Sequence, residues 1–195
     1  SSSETIDAVE KLLQKGKDNF YSFESDSGKA DMITGKVVAN YQWSGDAVYS
    51  LDQAEEDGIV LNYSVPQECS NLWFDGWVML KDGIGENTEK KEACEAFVNF
   101  LSQPDNVVRN MYYIGYTSVI AGGEDDTLFD YAKWCYEAEE DEEDTIDYDV
   151  SYFFGKSDCF ITASADQAER QLYAQYPPEE VLQRCAIMEY FGPET

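Results

Sequence analysis

The chain has 195 residues, and its 13 lysine and arginine residues against 40 aspartate and glutamate residues set a formal net charge of −27. This excess of acids repels a polyanion, so we expect no nucleic-acid partner and keep cations, polycations and basic proteins as candidates. Histidine is absent, which excludes Ser-His-Asp and Cys-His catalysis within this chain. Hydrophobic residues make up 43% of the sequence, which predicts a folded domain rather than a disordered chain.

The first half of the chain is predicted to alternate helices and strands. Apolar residues three and four apart indicate helices, and runs of β-branched and aromatic residues indicate strands. The richest apolar run contains Asp75 and Gly76, so it is too short for a membrane span and is read as a strand buried on both faces. In chain order we predict a helix at Ile6–Leu13 that stops at Gly16, a polar turn at Ser25–Asp31, a strand at Val37–Trp43, a helix at Asp46–Glu56, and strands at Ile59–Ser64 and Leu72–Leu80.

The order strand, helix, strand indicates an α/β sheet. In the second half, Pro104 suits the first turn of a helix and Gly115 suits its end. We predict helices at Glu89–Leu101 and Pro104–Ile114, the latter with the apolar face Val107, Val108 and Met111, strands at Val150–Phe154 and Cys159–Ala163, and helices at Asp166–Tyr173 and Glu179–Tyr190.

Residues 137–149 contain nine acids in 13 positions. Such a run is too charged to pack, so we predict a solvated loop or helix face that keeps the protein soluble, with loose binding of divalent cations as the alternative. Two motif readings fail. The glycines at 28 and 35 are too far apart for a phosphate loop, and Gln53 stands where a calcium-binding loop beginning near Asp52 needs an aspartate.

The five cysteines are widely spaced and form no C-x-x-C pair, which is not the pattern of a metal or redox motif. We expect no metal and no cofactor. An odd number of cysteines cannot pair completely within one chain, so we favour buried free thiols. A disulfide framework is the alternative. The residues concerned are Cys69, Cys94, Cys135, Cys159 and Cys185.

Two short motifs each place a tryptophan close to an acid and a glycine. They are Y-Q-W-S-G-D at 41–46, with Trp43 and Asp46, and L-W-F-D-G at 72–76, with Trp73 and Asp75. An indole beside a carboxylate suits an organic ammonium, because the acid accepts a charge-assisted hydrogen bond and the ring attracts the cation and stacks on its methylene groups. The alternative is that both tryptophans belong to the core and the acids merely face solvent.

These motifs occur in an order that resembles a known family. Y-Q-W-S-G-D and L-W-F-D are followed by F-V-N-F-L-S-Q-P-D at 97–105 and Y-I-G-Y-T at 113–117, and the resemblance resumes at Y-P-P-E-E at 176–180. Together they resemble the polyamine (spermidine/putrescine) substrate-binding proteins of ABC importers. The resemblance implies a type II periplasmic-binding-protein-like fold, here a partial lobe with a three-layer sheet and flanking helices.

The resemblance also implies roles for the four residues of the two motifs. Trp43 matches a tryptophan that stacks on the alkyl chain of the polyamine, and Trp73 matches a second stacking aromatic. Asp75 matches the acid that binds an amino group of the ligand, and Asp46 matches an acid of the putrescine-type branch. No catalytic residue and no metal ligand is implied.

Family members are longer than this chain, with an N-terminal lobe, an acidic element before the first helix, and a helix beyond the position of Thr195. We therefore expect the C-terminal portion of a solute-binding domain whose N-terminal lobe is missing. Residues 1–120 are assigned as family-like, 121–175 as an acidic segment without a counterpart, and 176–195 as a family-like C-terminal segment. A missing lobe would leave an exposed apolar patch and favour self-association.

The expected function is therefore non-catalytic, extracytoplasmic binding of polyamines, in the periplasm or at the outer face of the cell membrane, with an ABC importer permease as partner. A rival from another class is an acidic protein-interaction domain that binds basic partners through its surface field. A hydrolase with Asp46 and Asp75 as paired carboxylates is a third reading, which no nucleophile or sugar-binding pattern supports.

Overall fold

The structure is a computed structural model, and it describes residues 2–121 and 125–188. The chain is mixed α/β, rich in helices, with small sheets. The helices are α1 (Ser3–Gly16), α2 (Gly28–Ile33), α3 (Ser44–Glu56), α4 (Lys81–Ile84), α5 (Thr88–Leu101), α6 (Pro104–Ile114), α7 (Thr127–Tyr136), α8 (Ser151–Phe154), α9 (Ala165–Glu169), α10 (Gln171–Gln175) and α11 (Glu179–Leu182), with a 3₁₀ helix at Lys17–Asn19. The strands are β1 (Asn71–Leu72), β2 (Thr145–Asp149), β3 (Phe160–Ser164) and β4 (Ala186–Ile187).

The strands of the described residues pair into two separate two-stranded sheets. β1 and β4 run parallel, with Asn71 opposite Ala186, and β2 and β3 run antiparallel, with Thr145 opposite Ser164. Burial alternates along β3, where Ile161 and Ala163 are buried. One face of the β2–β3 hairpin therefore lies on the core while the other faces solvent.

The main buried core lies in the second half of the chain, around the β2–β3 hairpin. Inside it the Tyr148 hydroxyl donates a hydrogen bond to the carbonyl oxygen of Tyr176 at 2.8 Å, so the buried phenol has a partner. Residues 121–175 thus supply most of the core. The buried members are Val107, Met111, Leu128, Ala132, Tyr136, Tyr148, Val150, Phe154, Cys159, Ile161, Ala163, Ala168, Leu172 and Tyr176.

Helix α3 connects this core to the first half of the chain. It buries Ala47, Val48, Leu51 and Ala54 and packs on α2 and α10. At its C-terminal half, the Nη1 of Arg170, a side chain only 5% exposed, lies 2.7 Å from Glu55 Oε1. The buried Arg170 charge is also paired with Asp166 within the α9–α10 segment. Ion pairing and helix packing together hold α3 in place.

The predicted strands of the first half are wrong. Residues 37–43 and 59–64 are irregular, and of the run at 72–80 only Leu72 belongs to a strand. Each of these runs has strand composition, but β4 is the one strand in the described residues that pairs with any of them. Trp77, Val78 and Leu80 are exposed, so burial on both faces is also wrong. The described residues therefore hold small sheets in place of the three-layer sheet, and a type II lobe is not seen.

The longer predicted helices of the first half and middle are confirmed. The predicted helices fall within α1, α3, α5 and α6, and α6 begins at Pro104 and ends at Gly115, whose φ of +74° is the left-handed cap that glycine adopts readily. Val107 and Met111 are buried and Val108 packs on the core, so the predicted apolar face of α6 is also confirmed.

Shorter elements of the second half differ from prediction. The predicted strand at 150–154 is largely the helix α8, and the polar turn at 25–31 runs into α2. The helix predicted over Asp166–Tyr173 breaks at the buried Arg170 into α9 and α10, because this residue turns inward to pair with Glu55. The last predicted helix is limited to α11 and is followed by β4, and its final residues lie outside the described part of the chain.

The acidic run at 137–149 has two parts. Residues 139–144 are all exposed and irregular, which confirms the predicted solvated loop, but residues 145–149 form β2 and bury Tyr148. Within residues 2–121 and 125–188, no three metal-ligating side chains of His, Cys, Asp or Glu come together as a metal site. None of the helices described combines the length and apolar character that a membrane crossing requires.

All five cysteines are free thiols in the structure. Cys159 alone is buried, and Cys69 is exposed. The expectation of buried thiols is therefore wrong for Cys69, which lies exposed in the irregular stretch before β1.

A first testable prediction concerns how much a buried leucine of the core contributes to stability. Leu172, in α10, is fully buried, so Leu172→Ala should lower the free energy of unfolding by about 2 to 5 kcal/mol through lost burial and a cavity. The matched control is Leu12→Ala in the exposed face of α1, for which we expect a change within about 0.5 kcal/mol. Urea denaturation of both variants measures the difference, and equal effects would contradict the assignment of the core.

A second prediction concerns the exposed apolar side chains before and within α5. Trp77 and Phe97 are both exposed, and their ring centroids lie 6.0 Å apart, so they form one apolar surface. We expect self-association that grows with protein concentration in sedimentation velocity and that Trp77→Ser weakens. Val38→Ser, at a fully exposed isolated position, is the control and should leave it unchanged. A monomer at every concentration would refute the prediction.

Candidate functional site

The first two predicted site residues lie at the start of α3. Trp43 precedes the helix in an extended conformation, with φ −66° and ψ 146°, and its carbonyl oxygen accepts the backbone hydrogen bond of Ala47 at 2.9 Å. Asp46 lies in the first helical turn, where the helix dipole favours a negative charge. Its side chain is 20% exposed. The helix start therefore presents one indole and one carboxylate a single turn apart.

The ring of Tyr116 lies directly over this helix start. A Cβ on Gly45 would stand 2.5 Å from the Tyr116 ring, closer than any side chain tolerates, so glycine is required for this approach. The turn at Gly115 directs Tyr116 toward α3. The side-chain amide of Gln175 donates to the Gly115 carbonyl oxygen at 3.1 Å, and the Thr117 hydroxyl donates to the Gln175 carbonyl oxygen at 2.7 Å. These bonds tie the turn to α10.

The second pair of predicted residues follows β1. The pairing of β1 with β4 fixes the chain up to Leu72, and Trp73 is the next residue. Trp73 is half-buried, and Asp75 is exposed two residues further on. Trp73 is therefore positioned by a strand pair that joins two distant parts of the chain.

Trp43, Trp73 and Tyr116 come together as one group, called here the aromatic cluster. The ring centroids of Trp43 and Trp73 lie 5.0 Å apart at 74°, and those of Trp73 and Tyr116 lie 5.5 Å apart at 68°. Edge-to-face contacts of this kind are favourable between aromatic rings. Trp43 is 48% exposed, and neither tryptophan belongs to the buried core. The cluster thus leaves aromatic surface open to solvent.

The charges of both predicted acids, Asp46 and Asp75, affect the pKa of the Tyr116 phenol. Burial is the main cause that raises the pKa of Tyr116 to about 12, and the nearby charges of Asp46 and Asp75 add to the effect. Tyr116 is therefore neutral at physiological pH and keeps its hydroxyl proton as a donor. The structure thus brings Trp43, Trp73 and Tyr116 into contact, with Asp46 in the helix turn under the Tyr116 ring and the exposed Asp75 two residues after Trp73.

A cation from the protein itself is also present. The Nζ of Lys29, in α2, donates to Asp46 Oδ1 at 3.0 Å, and the Lys29 side chain is 30% exposed. This hydrogen bond is the first cause that raises the pKa of Lys29, so the lysine is charged. Asp46 therefore already has a counter-ion, whereas the described structure shows no ion pair for Asp75.

The arrangement is suited to an organic cation. Aromatic faces attract ammonium groups and stack on methylene chains, and carboxylates supply charge-assisted hydrogen bonds.

Two grooves of about 510 Å³ each lie away from the aromatic cluster. One runs along α1 and is lined mainly by apolar side chains, among them Ile6 and Val9. Glu10 also lines it, but Lys17 places a positive charge there that opposes an ammonium. The other lies between α6 and α7 and includes Trp134 and Asp105, but Arg109 places a positive charge there that opposes an ammonium. The aromatic cluster therefore remains the best candidate site.

Sequence reasoning missed two members of this site. Tyr116 lies in Y-I-G-Y-T, and the glycine before it was a usable signal, since a left-handed residue at a helix end redirects the chain. Lys29 had no signal, because its contact with Asp46 depends on how α2 packs against α3.

Comparisons with known proteins agree with the motif resemblance. Residues 2–133 match the family described as bacterial extracellular solute-binding protein. The putrescine/agmatine-binding protein of Pseudomonas aeruginosa is 27% identical over 115 residues, which cover 58% of this chain and 30% of that protein. The putrescine-binding periplasmic protein SpuD from another strain of this species is 31% identical over 102 residues, covering 51% of this chain and 26% of that protein.

No solved structure matches the chain. The chain spans less than a third of the length of these curated relatives. The family match nevertheless includes all four predicted site residues and more than half of the chain. The resemblance found from the motifs is confirmed, and the chain belongs to the bacterial extracellular solute-binding protein family.

Proposed function

We propose that this chain supplies part of an extracytoplasmic binding site for a linear polyamine, of the putrescine or spermidine type, for delivery to the permease of an ABC importer. The action is capture without catalysis. In this proposal the two lobes of the whole receptor close about a hinge on the ligand, and the permease responds to the closed state.

The observation that carries the proposal is the aromatic cluster with its two acids. Trp73 contacts both Trp43 and Tyr116, and Asp46 and Asp75 both act on the Tyr116 phenol. A diamine has two ammonium groups joined by methylenes, so its ends suit the two carboxylates and its chain suits the indole faces. The similarity to a putrescine/agmatine-binding protein and to a putrescine-binding periplasmic protein supports this ligand class.

The proposal concerns only the part of the site that these residues supply, because the chain corresponds to under a third of each relative. In the proposed organisation, residues 1–120 and 176–195 are family-like parts of a solute-binding domain, and 121–175 form an acidic segment. The family match extends into this segment as far as residue 133. Since Trp43 and Asp75 are exposed, an ammonium bound here stays partly hydrated, and we expect weak but saturable binding.

A third prediction tests the role of the aromatic cluster. Trp73→Leu should weaken putrescine binding roughly 2- to 30-fold, since stacking and cation–π attraction contribute about 0.5 to 2 kcal/mol. The matched control is Trp134→Leu, an exposed tryptophan outside the aromatic cluster, which should bind putrescine like the unchanged chain. Calorimetric titration at physiological salt measures all three proteins.

The outcomes of this titration separate the two main readings. Saturable binding that depends on Trp73 and survives added salt supports a local site. Binding that disappears with salt and is equal in both tryptophan variants would instead support the acidic protein-interaction domain, because a diffuse surface charge is screened beyond about 8 Å at physiological ionic strength.

A fourth prediction compares two acids of equal charge. Asp75→Asn should weaken putrescine binding roughly 3- to 5-fold in this chain, where the acid is exposed, because it removes a counter-ion next to the aromatic cluster. Asp141→Asn, in the exposed acidic loop, removes the same charge and should change the affinity little. Equal losses from the two substitutions would argue against Asp75 as a ligand-binding residue.

A further inference from the structure

We propose that Lys29 competes with the ligand for Asp46 and thereby determines the specificity of the site, an inference that rests on the function proposed above. A primary ammonium of the protein occupies the position on Asp46 that one end of a diamine would take. Lys29 thereby selects between ligands with one and with two ammonium groups.

The contact is built into the fold of the first half. Lys29 Nζ lies 3.0 Å from Asp46 Oδ1, and both side chains are largely shielded, at 30% and 20% exposure. The residue before Lys29 is held in a tight place, since a Cβ on Gly28 would stand 2.6 Å from the Asn40 amide nitrogen and 2.7 Å from Glu24 Oε1. Helix α2 in turn packs on α3, which carries Asp46. The packing of α2 on α3 therefore places Lys29 within reach of Asp46.

The chemistry of the pair is that of the proposed ligand. The Lys29 side chain is a primary ammonium on a four-carbon stem, and each end of putrescine is a primary ammonium on the same length of chain. While Lys29 occupies Asp46, the site offers Asp75 as its free acid. One ammonium can bind there at once, but a second ammonium must displace Lys29.

A displaced Lys29 has another acid within reach of its charge. Asp26 contributes to the raised pKa of Lys29, after the larger effect of Asp46, so it lies close enough to favour the charged lysine. Moving Lys29 from Asp46 toward Asp26 would keep the ammonium near a carboxylate. The exchange therefore does not leave a bare charge in a shielded place.

The experiment compares putrescine, a dication, with butylamine, a monocation of the same carbon chain. Lys29→Met should tighten putrescine binding roughly 5- to 30-fold, because it frees Asp46 and removes a repelling charge. Butylamine should gain less, since its single ammonium already has Asp75. The quantity measured by titration is the ratio of the two affinities.

Two variants control this experiment. Lys91→Met removes an equal charge from a surface pair in α5, where Lys91 Nζ lies 2.9 Å from Glu95 Oε1, and should keep the ratio of the unchanged chain. Lys29→Arg keeps a cation on Asp46 and should also keep that ratio. Circular dichroism melts show whether each variant is folded.

The results separate this inference from the proposed function. The inference is supported if the ratio of putrescine affinity to butylamine affinity rises in Lys29→Met and in neither control variant. It is also supported if putrescine binding is detected in Lys29→Met and not in the unchanged chain. An unchanged affinity ratio, or weaker putrescine binding, in Lys29→Met overturns the inference. The proposed function still stands in that case if putrescine binding depends on Trp73. Absence of amine binding in the unchanged chain and in Lys29→Met overturns both.

Discussion

The candidate site depends on one close contact, the Tyr116 ring over Gly45. No side chain fits between this ring and the first turn of α3, because a Cβ would stand 2.5 Å from the ring. The contact brings the end of α6 to the start of α3, and Trp73 then packs its indole against Tyr116 on one side and Trp43 on the other. A larger residue at position 45 would separate the helix start from the ring and so open the aromatic cluster.

The contact is supported by the half of the chain that carries most of the acids. Helix α10 buries Leu172 in the main core and ties the turn at Gly115 through Gln175. It also follows Arg170, whose pairing with Glu55 holds the C-terminal half of α3. Six of its acids follow one another in the exposed loop at 139–144, so this charge lies outside the buried core. Site and core are thus connected through α3.

Local sequence patterns predicted most of the longer helices but not α7, and of the predicted strands only the one at 159–163 corresponds closely to a strand, β3. A helix such as α6 closes its hydrogen bonds within itself, so Pro104, Gly115 and the apolar spacing between them are sufficient signals. A strand needs a partner that local sequence does not reveal. Leu72 has one, far along the chain in β4, whereas residues 37–43 have the same kind of composition without pairing and stay irregular in the described structure.

The sequence by itself determined the residue types of the site, because indoles and carboxylates next to Gly45 and Gly76 are legible as cation-binding chemistry without any fold. It also determined family membership, since four motifs in order are specific where each alone is not. Tertiary structure alone decided that Tyr116 joins the two tryptophans and that Lys29 pairs with Asp46. Both contacts join residues on separate elements, and their distances follow from the packing of helices, which no local pattern encodes.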